Sequence, residues 1–525
     1  MSDTEPNRVW HRNAKTPNES CSHTDNRSGA HAEDLKQWLN HVQKVKVKTL
    51  GEAQDQHSQL LDNALAKTTQ HFSQVKPVIN GDTPNHRHRV GGTKVFVDRP
   101  SLLDELFEIN HARSIYHMFV AVFIIFYMTT LLVNYIEQGR LVLELDLLFY
   151  AFGKLGMVAC AWLGMFVYTL VVPYYLLRFW GTFYHSFQSK VLLSLGASLV
   201  LAAMHACVLG VFPVFVVVHN QMPPASRFIV IVEQIRFLMK SYSFIRETAP
   251  VIMKSTPKQG EPPRFPSLSS YLYFLFCPTL LFRESYPRNT HIRWKYVADT
   301  TIMSIGSLLY TNVVLMRLCV PVFKHATFNL FVNKQTFVLA VFHSVLPGIM
   351  ILLLSFFAFL HCWLNLFGEL LRFADRMFYK DWWNANSFAS YYRTWNVVVH
   401  DWLYNYGYRD FLWLTNGKFR TTAAISVFIV SAIAHEYVFG LSFGFFYPVL
   451  LFLFGIVGVL FNFVMNDKHQ TPLFNIIIWM ALLTGQGLQV CLYSLEWYAQ
   501  IQCPRTGNTF WELVTPRSWI CNYPN

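Results

Sequence analysis

One histidine lies within a stretch of sequence that is otherwise almost entirely hydrophobic. His435 follows Ser431 by one helical turn and lies about fifteen residues after Arg420, or roughly 22 Å along a helix that starts there. A neutral imidazole accepts protons well near pH 7, so His435 could activate a hydroxyl group inside a membrane. The alternative is a hydrogen-bond partner between helices, because His117 and His205 also occur in or near hydrophobic runs.

A second group of polar and aromatic residues lies between residues 369 and 420. It could stack an adenine ring and pair with phosphate groups. Trp and Tyr also collect at membrane interfaces, which is the alternative explanation. The polar residues Asn384, Asn396 and Asp401 exceed what an interfacial belt requires, which favours a binding site. The group comprises Phe378-Tyr-Lys-Asp-Trp-Trp-Asn384, Tyr391-Tyr-Arg-Thr-Trp-Asn396 and His400-Asp-Trp-Leu-Tyr404, with Lys418 and Arg420 just after it.

The composition predicts that lipid surrounds these elements. Hydrophobic residues make up 53% of the 525 residues and charged residues only 14%, whereas roughly 25% is typical of soluble chains. The chain also contains 46 Phe, 25 Tyr and 15 Trp. A water-soluble core could not hold so many apolar side chains. We therefore expect an all-α, polytopic membrane protein.

Hydrophobic runs that are long enough to cross a membrane recur along the chain. Crossing the ~30 Å hydrocarbon core needs about 20 apolar residues. Residues 227–245, which carry Arg and Glu, and residues 421–441, which contain His435, are two further candidates. Together these segments predict about nine transmembrane helices that enclose a reaction chamber. The clearest runs are 114–136, 155–177, 191–226, 300–323, 335–368, 437–466 and 469–495.

The net charge of +12 is distributed unevenly. Lys and Arg cluster in the first 115 residues and in residues 246–296 and 369–420. With a cytosolic N-terminus, nine crossings place the last two clusters in the cytosol and the C-terminus in the lumen, as the positive-inside rule favours. The basic residues do not gather on a soluble face, so we expect no nucleic-acid partner. The polar N-terminus lacks the pattern of a cleavable signal peptide.

The segments outside the membrane domain differ in character. Residues 1–33 are polar and predicted to be disordered. Residues 34–75 predict an amphipathic helix that either associates with a partner or lies on the membrane, and residues 76–98 resemble a linker. The membrane domain covers residues 99–500. In the polar tail 501–525, Cys503 and Cys521 either form a disulfide or remain free thiols; no Cys or His spacing predicts a metal site.

Two of these motifs resemble the membrane-bound O-acyltransferase family. Phe-Tyr-x-Asp-Trp-Trp-Asn at 378–384, followed by a lone intramembrane histidine, is similar to that family. Residues 391–404 resemble its sterol O-acyltransferase branch rather than the diacylglycerol branch, and the likeness extends over residues 95–521. The N-terminal region looks more like the shorter of the two animal forms. The supporting segments begin at Ser101, Pro223, Tyr271 and Thr515.

The resemblance implies roles for particular residues. His435 matches the catalytic histidine and Asn396 the asparagine that accompanies it. The motif Phe378, Tyr379, Asp381, Trp382, Trp383 and Asn384 matches a signature linked with acyl-CoA binding and enzyme integrity. Similar enzymes line the CoA tunnel at positions that match Tyr392, Arg393, Tyr408, Arg420 and Ser431. Arg420 stands where some relatives carry Lys, which keeps the charge but changes the hydrogen-bond geometry. The pair Cys503 and Cys521 matches a lumenal disulfide.

The resemblance also implies substrates, partners and a location. We expect transfer of a long-chain acyl group from acyl-CoA to the 3-hydroxyl of cholesterol, with His435 as the general base. Acyl-CoA is then a substrate, and no cofactor is expected. The expected setting is the endoplasmic reticulum membrane, with the 34–75 helix joining chains into a homodimer or homotetramer.

Three other functions fit part of the sequence. A relative that uses diacylglycerol or a fatty alcohol as the acceptor would share most motifs. A lipid transporter would share the many spans, although the hydrophobic runs show no two-fold repeat. A sterol-sensing scaffold would not need both Asn396 and His435. Labelled ester formation separates an enzyme from the last two.

Overall fold

The computed structural model of the chain describes residue 42 and residues 94–141, 143–255, 265–324, 334–465, 472–505, 507 and 509–520. The chain divides into two units, Met1–Gly91 and Gly92–Asn525. The predictions for residues 1–33, for the helix 34–75 apart from Val42, which is helical, and for most of the linker 76–98 lie outside the described residues. The second unit contains the predicted membrane domain.

The described part of the second unit is helical almost throughout and contains no β-strand, which confirms the predicted all-α fold. Its first half supplies ten helices among the described residues. They are α1 (Leu102–Glu108), α2 (Asn110–Gln138), α3 (Asp146–Ala151), α4 (Leu155–Tyr184), α5 (Lys190–His205), α6 (Phe212–His219), α7 (Pro224–Lys254), α8 (Leu268–Phe276), α9 (Trp294–Val314) and α10 (Val320–Phe323).

The second half carries the residues that the sequence assigns to chemistry. A single 3₁₀ turn, Trp382–Asn384, lies within the motif 378–384. The helices are α11 (Lys334–Ser355), α12 (Leu364–Leu370), α13 (Phe388–Trp395), α14 (Val397–Trp402), α15 (Arg409–Leu414), α16 (Arg420–Phe443), α17 (Val449–Phe452), α18 (Val459–Val464), α19 (Pro472–Gln502), α20 (Phe510–Val514) and α21 (Arg517–Ile520).

Several of these helices continue into one another through π-helical turns. A π turn accommodates an extra residue within one turn, so the pattern of inward-facing residues shifts by one position across it. The turns join α5 to α6, α9 to α10, α11 to α12, α14 to α15 and α17 to α18. Within the described residues they are Ala206–Val211, Leu315–Cys319, Phe356–Trp363, Leu403–Tyr408 and Leu453–Gly458.

Seven stretches of the described chain are long and apolar enough to cross a membrane. Six correspond to predicted runs, and the seventh, Arg420–Phe443, corresponds to the candidate 421–441. The predicted count of nine is not confirmed. The run 437–466 divides at Gly444, whose left-handed φ of 80° ends α16, and its remainder is the shorter helix Val449–Val464. The candidate 227–245 lies in α7, whose charged residues keep it outside the seven.

The membrane helices pack closely where glycines remove side chains. A Cβ atom on Gly348 of α11 would lie 2.9 Å from the backbone oxygen of Gln486, and one on Gly487 of α19 would lie 2.7 Å from the Val345 side chain. Small residues allow helix backbones to approach in this way in membranes. The pair α11 and α19 therefore forms a tight contact in the body of the protein.

Two buried charged side chains hold short helices in place. Lys240 of α7 is 1% exposed, and its Nζ donates to the backbone oxygens of Phe274 at 2.6 Å, Leu275 at 3.1 Å and Cys277 at 2.7 Å. These carbonyls at the C-terminus of α8 carry partial negative charge, so the ammonium group stabilises that end. Glu496 of α19 acts similarly on the C-terminal segment, because it accepts from the backbone N–H of Arg517 at 2.8 Å.

Candidate active site

His435 lies two thirds of the way along α16 and its ring orientation is fixed by its own helix. The Nδ1 atom lies 2.7 Å from the carbonyl oxygen of Ser431. A carbonyl can only accept, so Nδ1 carries the proton in the neutral ring and Nε2 holds the free lone pair. No other described residue hydrogen-bonds the ring. The arrangement leaves Nε2 ready to accept a proton from a bound molecule.

The His435 ring lies beside aromatic side chains. Its ring centroid lies 5.3 Å from that of Phe454, at an interplanar angle of 82°. Phe428, seven residues earlier on the same face, packs against Tyr392 at 5.0 Å. His435 is nevertheless exposed. The ring therefore contacts an aromatic neighbour but stays accessible instead of filling a packed core.

The residue after His435 fixes the rotation of α16. Glu436 is 5% exposed, and its carboxylate accepts from the backbone N–H groups of Leu450 at 3.0 Å and Leu451 at 3.2 Å. Tyr493 of α19 donates to the same carboxylate at 3.3 Å. Glu436 thus anchors the start of the helix that carries Phe454. This role of Glu436 is not visible in the sequence, where its position next to His435 is the one signal.

Tyr392 meets Gly458, which lies on the same π turn as Phe454. Tyr392 contacts Phe454 at 6.2 Å between ring centroids, so the two predicted site residues Tyr392 and His435 share one neighbour. A Cβ atom on Gly458 would lie 2.8 Å from the Tyr392 hydroxyl oxygen. Glycine at the end of the π turn Leu453–Gly458 therefore leaves room for the phenol.

The aromatic residues of the motif 378–384 are buried. Phe378, Tyr379 and Trp382 are each at most 2% exposed, and Trp382 packs on the Trp395 ring at 4.8 Å between centroids. Such burial makes the rings part of the hydrophobic core. Asp381 and Asn384 are exposed and Trp383 is half-buried. The motif therefore has the burial pattern of a structural element, and its link with acyl-CoA binding and enzyme integrity stays a prediction.

Tyr379 connects the motif to two segments that are far away in sequence. Its hydroxyl lies 2.9 Å from Ser101 Oγ and 2.8 Å from His361 Nδ1. Asn365 Nδ2 donates to Ser101 Oγ at 3.2 Å. His361 is 1% exposed, and the sequence alone shows it only as another histidine in a hydrophobic run. The buried network shows why Tyr rather than Phe occupies position 379.

Asn396 caps a helix at the junction of α13 and α14. Its Oδ1 accepts from the backbone N–H of Val399 at 3.2 Å, which is the usual N-cap bond. Two backbone hydrogen bonds join the motif 378–384 to the chain on either side of Asn396. Lys380 N–H donates to Thr394 O at 2.8 Å, and Val397 N–H donates to Phe378 O at 2.9 Å. No hydrogen bond joins Asn396 to His435 in the described chain. The cap therefore fixes Oδ1 and leaves the amide nitrogen Nδ2 of Asn396 able to donate a hydrogen bond to a bound molecule.

The predicted CoA-binding residues lie on α13, the π turn Leu403–Tyr408 and α16. Arg393 and Arg420 are exposed, and Tyr408 and Ser431 are half-buried. A Cβ on Gly407 would lie 3.3 Å from Val427 Cγ2, so the π turn packs directly on α16. The structure thus brings the elements of Tyr408, Ser431 and His435 side by side.

Three rings stack along one face of α14 and the π turn after it. His400 and Tyr404 lie 6.3 Å apart with planes at 17°, and Tyr404 and Tyr408 lie 5.6 Å apart with planes at 16°. Residues four apart share a helix face, which explains the ladder. A flat aromatic ligand could extend such a stack at its Tyr408 end.

Asp401 lies beside this ladder and is paired with Lys94 at 2.5 Å. Burial raises the pKa of the Asp401 carboxyl, but the nearby His400 ring and the hydrogen-bonded charge of Lys94 outweigh burial and lower its pKa below the usual range. Asp401 is therefore ionised at neutral pH. The pair ties the segment before α1 to α14.

The predictions about the Cys503–Cys521 pair and about metal binding concern residues outside this site. Cys503 forms no disulfide with another described cysteine, and Cys521 lies outside the described residues; the pairing of the two stays a prediction. Within the part of the chain that the structure describes, no group of three or more His, Cys, Asp or Glu residues is arranged to hold a metal ion.

Comparison with known proteins assigns this architecture to a class. Residues 147–495 match the model of the membrane-bound O-acyltransferase family. The match covers well over half of the chain and includes the motif 378–384, Asn396 and His435. The chain belongs to the membrane-bound O-acyltransferase family, and the prediction of an acyltransferase is confirmed.

Individual proteins are similar to this chain over most of its length. The chain is 50% identical to Sterol O-acyltransferase 2 of Homo sapiens over 497 residues, which is 94% of this chain and 93% of the relative. It is 51% identical to Sterol O-acyltransferase 2 of Rattus norvegicus over 94% of each chain. Sterol O-acyltransferase 1 of Mus musculus is 49% identical over 430 residues, or 82% of this chain and 79% of that protein.

Proposed function

We propose that this protein transfers a long-chain acyl group from acyl-CoA to the 3-hydroxyl of a sterol, cholesterol in particular. The relatives that support this substrate are named sterol O-acyltransferases and cover nearly the whole chain. The observation that carries the mechanism is the hydrogen bond between His435 Nδ1 and the Ser431 carbonyl. It leaves Nε2 as the atom that accepts the proton.

In the proposed reaction, His435 acts as a general base. Nε2 takes the proton of the sterol hydroxyl as that oxygen attacks the thioester carbonyl carbon. The tetrahedral intermediate then expels the CoA sulfur, and the imidazolium returns the proton to it. The products are a steryl ester and CoA, and no acyl-enzyme forms. General-base assistance of this kind contributes about 10²–10⁴-fold.

The side-chain amide nitrogen of Asn396 can bind a substrate in this mechanism. Its Oδ1 is committed to the cap of α14, so its Nδ2 is the group that remains for a substrate. That amide would donate to the carbonyl oxygen as negative charge develops on it. One such donor contributes roughly 3 kcal/mol to the transition state.

We infer that acyl-CoA reaches His435 from the side where α16 begins. Arg393 and Arg420 are exposed cations suited to phosphate groups, and Tyr408 ends the aromatic stack on which an adenine ring could lie. Tyr392 and Ser431 lie deeper, near the thioester. The sterol would enter from the membrane. A channel that excludes water also limits hydrolysis of the thioester.

The proposed setting is the endoplasmic reticulum membrane. The distribution of Lys and Arg favours a cytosolic N-terminus and a lumenal C-terminus, which also suits a cytosolic CoA substrate. The predicted helix 34–75 would join chains into a homodimer or homotetramer, and Cys503 and Cys521 would form a disulfide in the lumen.

The decisive experiment supplies labelled oleoyl-CoA with cholesterol, diacylglycerol or hexadecanol to the purified full chain. We expect labelled cholesteryl ester as the main product. A preference for diacylglycerol or the fatty alcohol would move the protein to another branch of its family. The absence of any ester would contradict catalysis altogether.

Two histidine variants test whether His435 is the general base. His435→Ala should abolish esterification, whereas His343→Ala, in the exposed face of α11, should retain it. Both variants should unfold near the wild-type temperature. Normal turnover by a well-folded His435→Ala protein would remove His435 from the mechanism.

A further inference from the structure

The helical segment from α14 to α15 has two faces that make different contacts. Residues four apart share a helix face, and residues two apart lie on roughly opposite faces. The stack of His400, Tyr404 and Tyr408 follows one face. A second series with the same spacing is offset from the stack by two positions, so it follows the other face. Its members are Trp402, Tyr406 and Asp410.

The residues at both ends of the second series are hydrogen-bonded to α7. Trp402 Nε1 donates to the backbone oxygen of Met239 at 3.0 Å. The Asp410 carboxylate accepts from Arg246 Nη2 at 2.8 Å and from Arg246 Nε at 3.2 Å. The Tyr242 hydroxyl donates to the same carboxylate at 3.0 Å. This face of the segment is therefore fastened to α7 over its whole length.

Tyr406 makes the central contact with α7 and is 5% exposed. Its hydroxyl donates to Glu247 Oε1 at 2.8 Å and lies 2.9 Å from Ser243 Oγ. Ser243 Oγ accepts from the backbone N–H of Phe282 at 2.8 Å, so its own proton can be donated to the Tyr406 oxygen. Glu247 is held in turn by Arg283 at 2.9 Å. The Tyr406 hydroxyl therefore both donates and accepts, and its position is fixed from two sides.

The stack on the opposite face depends on the backbone for its position. Tyr404 is 45% exposed, and among the described residues the Tyr404 and Tyr408 hydroxyls make no hydrogen bond that would hold the rings. Both residues lie in the π turn Leu403–Tyr408, as does Tyr406. A π turn is a rare form of helix that occurs frequently at functional sites. The contacts of Tyr406 with α7 therefore hold the same turn that presents the two rings.

We propose that Tyr406 is a positioning residue for the nucleotide part of acyl-CoA. Its contacts with α7 hold the π turn so that Tyr408 presents its ring at the end of the stack, where the adenine lies. Tyr406 itself touches no substrate. This inference rests on the proposed function, because it requires that acyl-CoA enters past Tyr408. It predicts that α7 governs the affinity for the nucleotide and leaves the acyl-transfer step unchanged.

The test compares two thioesters as acyl donors to cholesterol with the purified full chain. Oleoyl-CoA carries the nucleotide, whereas oleoyl-pantetheine keeps the thioester but lacks the adenine, the ribose and the phosphate groups. Wild-type protein should have the lower KM for oleoyl-CoA. Tyr406→Phe removes only the hydroxyl and should raise the KM for oleoyl-CoA about tenfold, because a hydrogen bond to a charged group is lost. The KM for oleoyl-pantetheine, the KM for cholesterol and kcat should keep their wild-type values, because the nucleotide binds equally in the ground state and in the transition state.

Tyr174→Phe is the matched control for this variant. Tyr174 is 6% exposed, and its hydroxyl donates to the backbone oxygen of Pro266 at 3.1 Å, so the control loses a buried hydroxyl that does not contact the π turn. Both KM values should stay at the wild-type level in the control. An equal rise in the KM for both thioesters in Tyr406→Phe would indicate a general loss of structure and overturn the proposal, and so would unchanged KM values. Equal KM values of the wild type for the two thioesters would remove the nucleotide site from the proposed function, and this inference with it.

Asp410→Ala tests the same inference if Tyr406→Phe does not fold. It removes the ion pair with Arg246 at the partly exposed end of the fastened face. Removing a negative charge near a site for an anion would by itself lower the KM for oleoyl-CoA. The proposed positioning predicts the opposite, a rise of about threefold, with no change for oleoyl-pantetheine. A lower or unchanged KM for oleoyl-CoA in this variant would overturn the proposal.

Discussion

Substitutions of Asn396 can separate a structural role from a catalytic one, because its two polar side-chain atoms make different contacts. Oδ1 caps α14 through the Val399 N–H, while Nδ2 is the proposed donor to the developing oxyanion. Asn396→Ala removes both. Asn396→Ser and Asn396→Asp each keep a capping oxygen but lack the amide donor.

The two losses differ in size. Losing an N-cap costs about 1 kcal/mol of stability, which lowers the melting temperature by no more than about 2 °C in a chain this long. Losing an oxyanion donor costs roughly 3 kcal/mol of activation free energy, or roughly a 150-fold fall in kcat at about 1.36 kcal/mol per factor of ten.

The assay compares kcat and melting temperature for the purified wild type and the three variants, with saturating oleoyl-CoA and cholesterol. All three variants should lose about two orders of magnitude in kcat, and only the Ala variant should also lose thermal stability. The Asp variant adds a charge that the Ser variant lacks, so agreement between them excludes an effect of charge. Turnover of the Ser variant within about twofold of wild type would reduce Asn396 to a helix cap and refute the reasoning.

Three further perturbations each depend on a single contact. Lys240→Met should lower the free energy of unfolding by about 3 kcal/mol, because three buried carbonyls lose their donor; an unchanged thermal scan would contradict this. Gly458→Ala should lower turnover at least about tenfold, because its Cβ displaces the Tyr392 hydroxyl. Gly306→Ala is the control and should be neutral, since a Cβ there meets no atom within 4 Å. Equal turnover by the two variants would argue against this role of Tyr392. Asp401→Asn should destabilise the protein at pH 7. The folded-state pKa of Asp401 is lowered. Its contribution to stability is therefore fully present above the unfolded pKa of about 3.9 and is lost as the pH falls from there through the lower folded-state pKa. A melting-temperature difference between wild type and variant that does not change over this pH range would be evidence against the prediction.

The sequence predicted the helical class and the location of His435 because both depend on local composition. Hydrophobic runs and one polar residue inside such a run are visible without tertiary contacts. The count of spans was harder. The run 437–466 is continuous in hydropathy, yet Gly444 adopts a left-handed φ that ends α16 there. Gly444 and Pro448 are the signals for that break in the sequence, since hydropathy alone shows none.

The site's supporting contacts depend on residues that are distant in sequence. Tyr379 and Ser101 are 278 positions apart, and Glu436 meets Tyr493 across 57 positions. Hydropathy and motif spacing carry no information about such pairs. The motif 378–384 could therefore be recognised, but its aromatic residues could not be assigned to the core until the fold was known.

The π turns also constrain how this chain can change its length. Deleting one residue from Leu453–Gly458 would convert the turn to ordinary α-helix and leave the helix after it facing the same way, whereas deleting one from a plain stretch of α-helix would rotate everything after it by roughly 100° about the axis. Within the turn itself, Phe454 and Gly458, which lie beside His435 and Tyr392, could not both keep their neighbours. The loss of one residue in a π turn is therefore absorbed locally, as it would be in a surface loop. Where alignments of related sequences place a single-residue gap inside a helix, that gap should fall at one of these turns.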